Sequence, residues 1–259
     1  MKARIAAIQM VSGPEVPENL AAADRLIAAA AAGGAKLAAL PENFYLIGRH
    51  EGDKVAVREP DGRGPIQQFL SDVSRKHKIW IVGGTAPIST DDEKRIRGAC
   101  LVYDDSGRRV ARYDKMHLFQ FKTQTEHYDE TRTLQPGTRP LAIASPFGRL
   151  ALSVCYDVRF PELYRGLGEF DVMFVPSAFT VPTGAAHWET LLRARAIENK
   201  AYLVAPAQGG THASGRRTWG HSMIVDPWGE IVAQRDEGEG VVLAEIDHER
   251  IKDVRRRLS

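Results

Sequence analysis

The sequence predicts a layered α/β protein in which helices cover a sheet. Short apolar runs alternate with helical patterns from end to end, which is the signature of that class. Several neighbouring runs are separated only by turn signals, as in hairpins. The sheet is therefore mixed, or split into two packed sheets, rather than purely parallel. No low-complexity linker and no repeat of fixed period divides the 259 residues, so one domain spanning residues 1–259 is expected.

The elements follow in order. "RIAAIQM" reads as a first strand, and "ENLAAADRLIAAAAAGGA" as an alanine-rich helix closed by glycines. "KLAALP" is the next strand. "IQQFLSDVSRKHK" has helical spacing and leads into the strand "IWIVGG". In "GACLVYDDSGRRVARYDK" two strand-like runs flank the turn Asp104-Asp105-Ser106-Gly107. "RLALSVC" is a strand. "PELYRGLG" is a short helix with proline in its first turn. "DVMFVPSA" is a strand, "AHWETLLRARAIENK" a helix, and "AYLVAPAQG", "HSMIVDPWGEIVAQ" and "GVVLAEID" finish as strands, the middle one broken at Asp226-Pro227-Trp228-Gly229.

Bulk numbers restrict the function. The chain is 43% hydrophobic and 26% charged, enough for a full core. A formal net charge of +2 gives no case for nucleic acid or an anionic membrane as partner. The local basic clusters, Arg216-Arg217 and Arg255-Arg256-Arg257, have acidic neighbours and read as solvated surface. Two cysteines, Cys100 and Cys155, make neither a disulfide framework nor a zinc site, and a reduced cytoplasmic setting is expected. The N-terminus lacks a signal-peptide pattern, and no apolar run is long enough to span a membrane.

Three strands each deliver one ionisable residue as the apolar run stops: Glu42 after "KLAALP", Lys115 after "RRVARYD", and Cys155 after "RLALSV". Strand ends are where α/β proteins place reactive groups. Taken singly, each is as well explained by surface or core. Together they form a chemical set. A thiol needs a base or cation to become a nucleophile. A carboxylate can take its proton, and an ammonium can stabilise the oxyanion formed when sulfur attacks a carbonyl or nitrile carbon. The backbone N–H of Tyr156 adjoins the nucleophile and is a natural second donor. Such a set performs acyl transfer with no metal and no cofactor.

"LPENF" around Glu42, "RYDKMHLF" around Lys115 and "SVCYDVRFPELYR" around Cys155 resemble the three catalytic motifs of the nitrilase superfamily, the carbon–nitrogen hydrolases. "PSAFTVPTGAAHWETLLRARAIENKAYLVAPAQGG" and "GHSMIVDPWGEIVA" extend the likeness over nearly the whole chain, toward the amidase branch that holds omega-amidase and deaminated glutathione amidase. The resemblance implies a four-layer α-β-β-α sandwich of two mixed sheets that pairs into dimers. It implies Glu42 as general base, Lys115 as oxyanion stabiliser and Cys155 as nucleophile. It also implies a second glutamate downstream of the lysine, with Glu126 and Glu130 as candidates. Glu130 is preferred, because "DETRTLQPG" resembles the stretch before the family's Pro-Gly turn.

The same resemblance points to Arg159 as the residue that meets a substrate carboxylate, with a salt bridge to Asp157 or Glu162 as the structural alternative. Thr180, Thr183 and His187 are placed in the loop after "DVMFVPSAF" as further substrate contacts, and Phe44 and Tyr128 as pocket walls. "AQGGTHASGRRTWGHS" is either a lid or a connecting loop. The expected substrate is a small amide bearing a carboxylate. Rival readings are a nitrilase, an N-carbamoyl amino-acid or polyamine hydrolase, and a non-catalytic binding protein on the same scaffold. Tyr156-Asp157 after the cysteine favours amidase over true nitrilase, where a Trp-Glu pair is usual.

Overall fold

The computed structural model describes residues 1–122 and 127–258. The fold class is the expected one: α/β, with two mixed sheets face to face and helices outside. In the first sheet the strands run in the order Gly240–Asp247, Lys2–Gln9, Leu37–Leu40, Trp80–Gly83, Ile96–Tyr103, Ala86–Ser89, with Arg109–Asp114 also paired to Ile96–Tyr103. The second has the order Ile231–Arg235, Ser222–Val225, Tyr202–Ala205, Val172–Phe174, Gly148–Leu152, Leu141–Ser145. Each sheet has three parallel central strands and antiparallel flanks.

Side-chain alternation explains the layering. In the first strand Ile5 and Ala7 face the second sheet, while Ala6 and Ile8 face the outer helices. Leu37 and Ala39 divide from Ala38 and Leu40 in the same way. A strand buried on both faces must be apolar throughout, which is why these segments read as unbroken runs. Outside the first sheet lie the helices Val16–Ala32 and Pro65–His77. The former buries Ala23, Leu26, Ile27 and Ala30, one stripe at helical spacing, and its alanines allow a close approach to the sheet. Outside the second sheet lies the helix Val181–Asn199, with Trp188, Leu192 and Ala196 in the core. Each large apolar side chain so buried contributes about 1.5–3 kcal/mol.

Several expectations need correction. The helix expected from Ala186 starts five residues earlier, at Val181, with Thr180 as its N-cap and Pro182 in its first turn. Thr183 is therefore a helical, not a loop, residue, and His187 lies in the second turn of the helix rather than the first. The strand expected to reach Cys155 stops at Leu152, and Cys155 opens a separate 3-10 turn, Cys155–Arg159. The glycine-rich segment forms a small hairpin, Gly209–Thr211 against Arg217–Trp219. A C-terminal helix, His248–Arg257, was not anticipated; it buries Ile251 and Val254. Of the Arg255-Arg256-Arg257 cluster, Arg255 is not simply solvated: it donates to the Phe170 carbonyl and lies 3.4 Å from Asp171. Among the described residues, no helix is long and apolar enough to cross a membrane. Both cysteines are free.

Candidate active site

Glu42, Lys115 and Cys155 converge where the two sheets meet. Glu42 follows the strand Leu37–Leu40, and Lys115 follows Arg109–Asp114, both in the first sheet; Cys155 follows Gly148–Leu152 in the second. All three are buried, at 3%, 1% and 6% exposure. Lys115 Nζ donates to Glu42 Oε1 at 2.7 Å and to Glu130 Oε2 at 2.8 Å. Glu130 opens a 3-10 turn, Glu130–Arg132, and also accepts the Phe119 backbone N–H at 2.7 Å. The other candidate, Glu126, lies outside the described residues.

Each group is held by its backbone. Gln208, from the end of the strand Tyr202–Ala205, donates to the carbonyls of Glu42 (3.2 Å) and Asn43 (3.3 Å) and to Ser12 Oγ. It thereby ties the Glu42 loop to the second sheet. Cys155 has φ +50°, a left-handed conformation that costs a non-glycine residue about 1–3 kcal/mol. Its N–H donates to the Pro176 carbonyl at 2.9 Å, and Val154 N–H donates to Asp157 Oδ2 at 2.8 Å. The strained turn is over-determined by these bonds.

The electrostatics are those of a resting thiol. Burial pushes the Cys155 pKa well above the ordinary value; the Glu42 carboxylate adds to this, while Lys115 and the Ala178 N–H oppose it. Burial disfavours the Lys115 ammonium, but Glu130 and Glu42 outweigh it and push its pKa well up. Burial likewise works against Glu130 ionisation, yet Lys115 holds the carboxyl below the usual range. Lys115 is thus a permanent cation between two carboxylates.

Two spaces open beside Cys155. The larger, about 380 Å³, is lined by Glu42, Glu130, Lys54, Tyr128, Arg216 and Cys155 itself, among others. The smaller, about 10 Å³, has room for one water-sized group between Cys155, Tyr156, Arg159, Phe179 and Thr183. Arg159 does not pair with Asp157 or Glu162. Its Nη2 lies 3.2 Å from His187 Nδ1, and its guanidinium sits 5.6 Å from the ring centroids of both Tyr156 and Phe179. Asp157 is instead occupied by Tyr113, Val154 and His117. Phe44 is not a pocket wall: it is fully buried in the outer core against Tyr45 and Phe69. Thr180 is spent on its cap, with its hydroxyl 2.9 Å from that of Thr183. Tyr128 does line the larger space.

The sequence reading missed Lys54, on the one-turn helix Asp53–Ala56, and assigned Arg216 to solvated surface. The four glycines around Arg216 were the available signal that this segment folds back over something.

The carbon–nitrogen hydrolase family pattern matches residues 4–256. The chain belongs to the carbon–nitrogen hydrolase family. It is 43% identical over 260 residues to the deaminated glutathione amidase of Synechocystis sp., covering 98% of this chain and 94% of that one. The human deaminated glutathione amidase is 38% identical, with 98% and 80% covered. Among solved structures, Saccharomyces cerevisiae Nit3, of the nitrilase superfamily, superposes with a TM-score of 0.88 at 32% identity, covering 99% of this chain and 94% of that one. The Caenorhabditis elegans NitFhit protein gives 0.90 at 38% identity, and the chain spans 63% of that protein. An amidase from Nesterenkonia sp. AN1, solved with acrylamide added to its active-site cysteine, gives 0.80 at 25% identity, with 99% and 98% covered. The carbon–nitrogen hydrolase described here is accordingly an amidase-type enzyme.

Proposed function

We propose that this hydrolase cleaves a small amide bearing a carboxylate through a thioester on Cys155. The supporting observation is the Lys115 ammonium, 2.7 Å from Glu42 and 2.8 Å from Glu130, two carboxylates that line one cavity with Cys155. Glu42 takes the thiol proton as sulfur attacks the amide carbon. Lys115 and the Tyr156 N–H stabilise the oxyanion, each such donor contributing about 3–4 kcal/mol to the barrier reduction. The C–N bond breaks as Glu42 returns the proton to the leaving amine, and water activated by Glu42 hydrolyses the thioester. Glu130 holds Lys115 in place and keeps it charged. Arg159, braced by His187, shapes the narrow space beside Tyr156 and Thr183.

The names of the relatives favour deaminated glutathione as substrate, with 2-oxoglutaramate as the smaller amide sharing its acyl half. Release of 2-oxoglutarate from each, with Cys155→Ala as control, tests the reading. Turnover that depends on Cys155 supports it. No Cys155-dependent product from either substrate refutes it.

A further inference from the structure

The larger space beside Cys155 carries cations that the reaction does not use. Lys54 is half-buried there, and among the described residues it has no hydrogen-bond or ion-pair partner. Arg216, at the turn of the glycine-rich hairpin, donates to the Ala178 carbonyl at 3.1 Å and lies 5.0 Å from the Tyr128 ring. Its Nε is buried with no partner, and no carboxylate pairs with it among the described residues. Arg159 Nε is orphaned in the same way, so what points to an anionic ligand is the charge of two cations, without a carboxylate partner among the described residues, that line the larger space together.

The carboxylates facing the same space do not supply that partner. Glu42 and Glu130 both bond Lys115, and Glu51 is exposed at the rim. Burial pulls the Lys54 pKa below the ordinary lysine value and Arg216 adds to this, while Glu130 and Glu51 oppose it. The two cations thus feel each other in a partly desolvated site. The hairpin that carries Arg216 is pinned: His212 Nδ1 is 2.8 Å from the Ser12 carbonyl and its Nε2 2.8 Å from Thr218 Oγ1.

We propose that Lys54 and Arg216 form an anion-binding pair that takes the substrate carboxylate in the larger space beside Cys155, in place of Arg159. Arg159 has space for one water-sized group beside it, about 10 Å³, and its Nη2 already lies 3.2 Å from His187 Nδ1. The larger space, about 380 Å³, accommodates the body of the substrate. The inference rests on the reading of Cys155 as the acylated nucleophile, and it adds the selector: amides carrying a carboxylate, with neutral amides disfavoured.

The test uses a thiol probe, so that it does not depend on the substrate. Cys155 is modified with an N-alkylmaleimide ending in a carboxylate and with its carboxamide twin, and the ratio of the two rates is read by mass spectrometry, with Cys155→Ala as blank. The wild-type enzyme is expected to favour the anionic reagent by about 10-fold or more, the size of a charge-assisted contact. Lys54→Gln and Arg216→Gln each bring the ratio toward one, and Arg216→Lys retains part of it. General effects on the thiol cancel in the ratio. A wild-type ratio of one, or a preference that survives both Gln variants, overturns the inference. A preserved ratio in an enzyme that hydrolyses neither amide overturns the proposed function and leaves the anion pair standing.

Discussion

The Asp157 carboxylate, two residues past Cys155, accepts the backbone N–H of His117, two residues past Lys115, at 2.9 Å. It also accepts the His117 ring Nδ1–H at 2.7 Å, the Tyr113 hydroxyl at 2.7 Å and the Val154 N–H at 2.8 Å. One buried side chain therefore sets the distance between the Cys155 turn and the strand that leads to Lys115. Asp157→Asn presents an N–H₂ group where only donors point, leaving at least one bond broken at a cost of about 1–3 kcal/mol. We expect a lower melting temperature together with a fall in kcat of about 10-fold or more and little change in KM, the signature of misplacement rather than lost binding. Kinetics and thermal unfolding of the variant check this.

Cys155 is protonated at rest, because burial and the nearby Glu42 push its pKa well above 9.0. Alkylation by a small neutral reagent should keep rising with pH through pH 9 with no plateau, since the thiolate fraction is still growing there. Lys115→Gln removes the cation that opposes this shift and should slow alkylation further at every pH. A plateau near pH 7 would show that the thiolate forms without substrate.

His212 gives an acid-sensitive term in stability. Burial, with Arg216 adding, pushes its pKa down to about 4 from 6.5. Above pH 6.5 it is neutral in the folded and unfolded chain alike and contributes nothing. As pH falls from 6.5 toward 4 the unfolded chain binds a proton that the folded one refuses, so stability drops, by on the order of 3 kcal/mol in all. Melting temperature against pH should fall more steeply for the wild type than for His212→Gln across that window.

Gly84 stands at φ +53°, and a Cβ there would overlap the Pro41 carbonyl, one residue before Glu42. Gly84→Ala should shift the Glu42 loop, reducing kcat as well as stability. A variant with normal kcat and a lowered melting temperature would show that the loop can relax without moving the carboxylate.

How much of this was legible follows from the physics of each residue. Glu42 and Cys155 were visible because each ends an apolar run, where a charge or thiol needs a reason, and Lys115 because "RYDKMHLF" resembles a family motif. The alternation of Ile5 and Ala7 against Ala6 and Ile8 was hidden, because a strand buried on both sides shows no period of two. The first turn of the helix at Val181 was lost in "TVPTG", whose proline and glycine signal a loop unless Thr180 is known to cap it. Lys54 and Arg216 were illegible for another reason. A charged residue in a polar segment looks solvated until tertiary contacts bring two such segments over one cavity. The C-terminal helix offered only Ile251 and Val254 as apolar markers, too few to set a period.

Gln208 joins the Glu42 loop to the second sheet, and Glu42 and Cys155, the proposed base and nucleophile, come from opposite sheets. Either half of the sandwich, folded alone, would be inert. Catalysis is therefore a readout of assembly: during refolding, activity should return only with the last docking event, and docking also shields Cys155, whose pKa burial pushes up, from reaction with its neighbours.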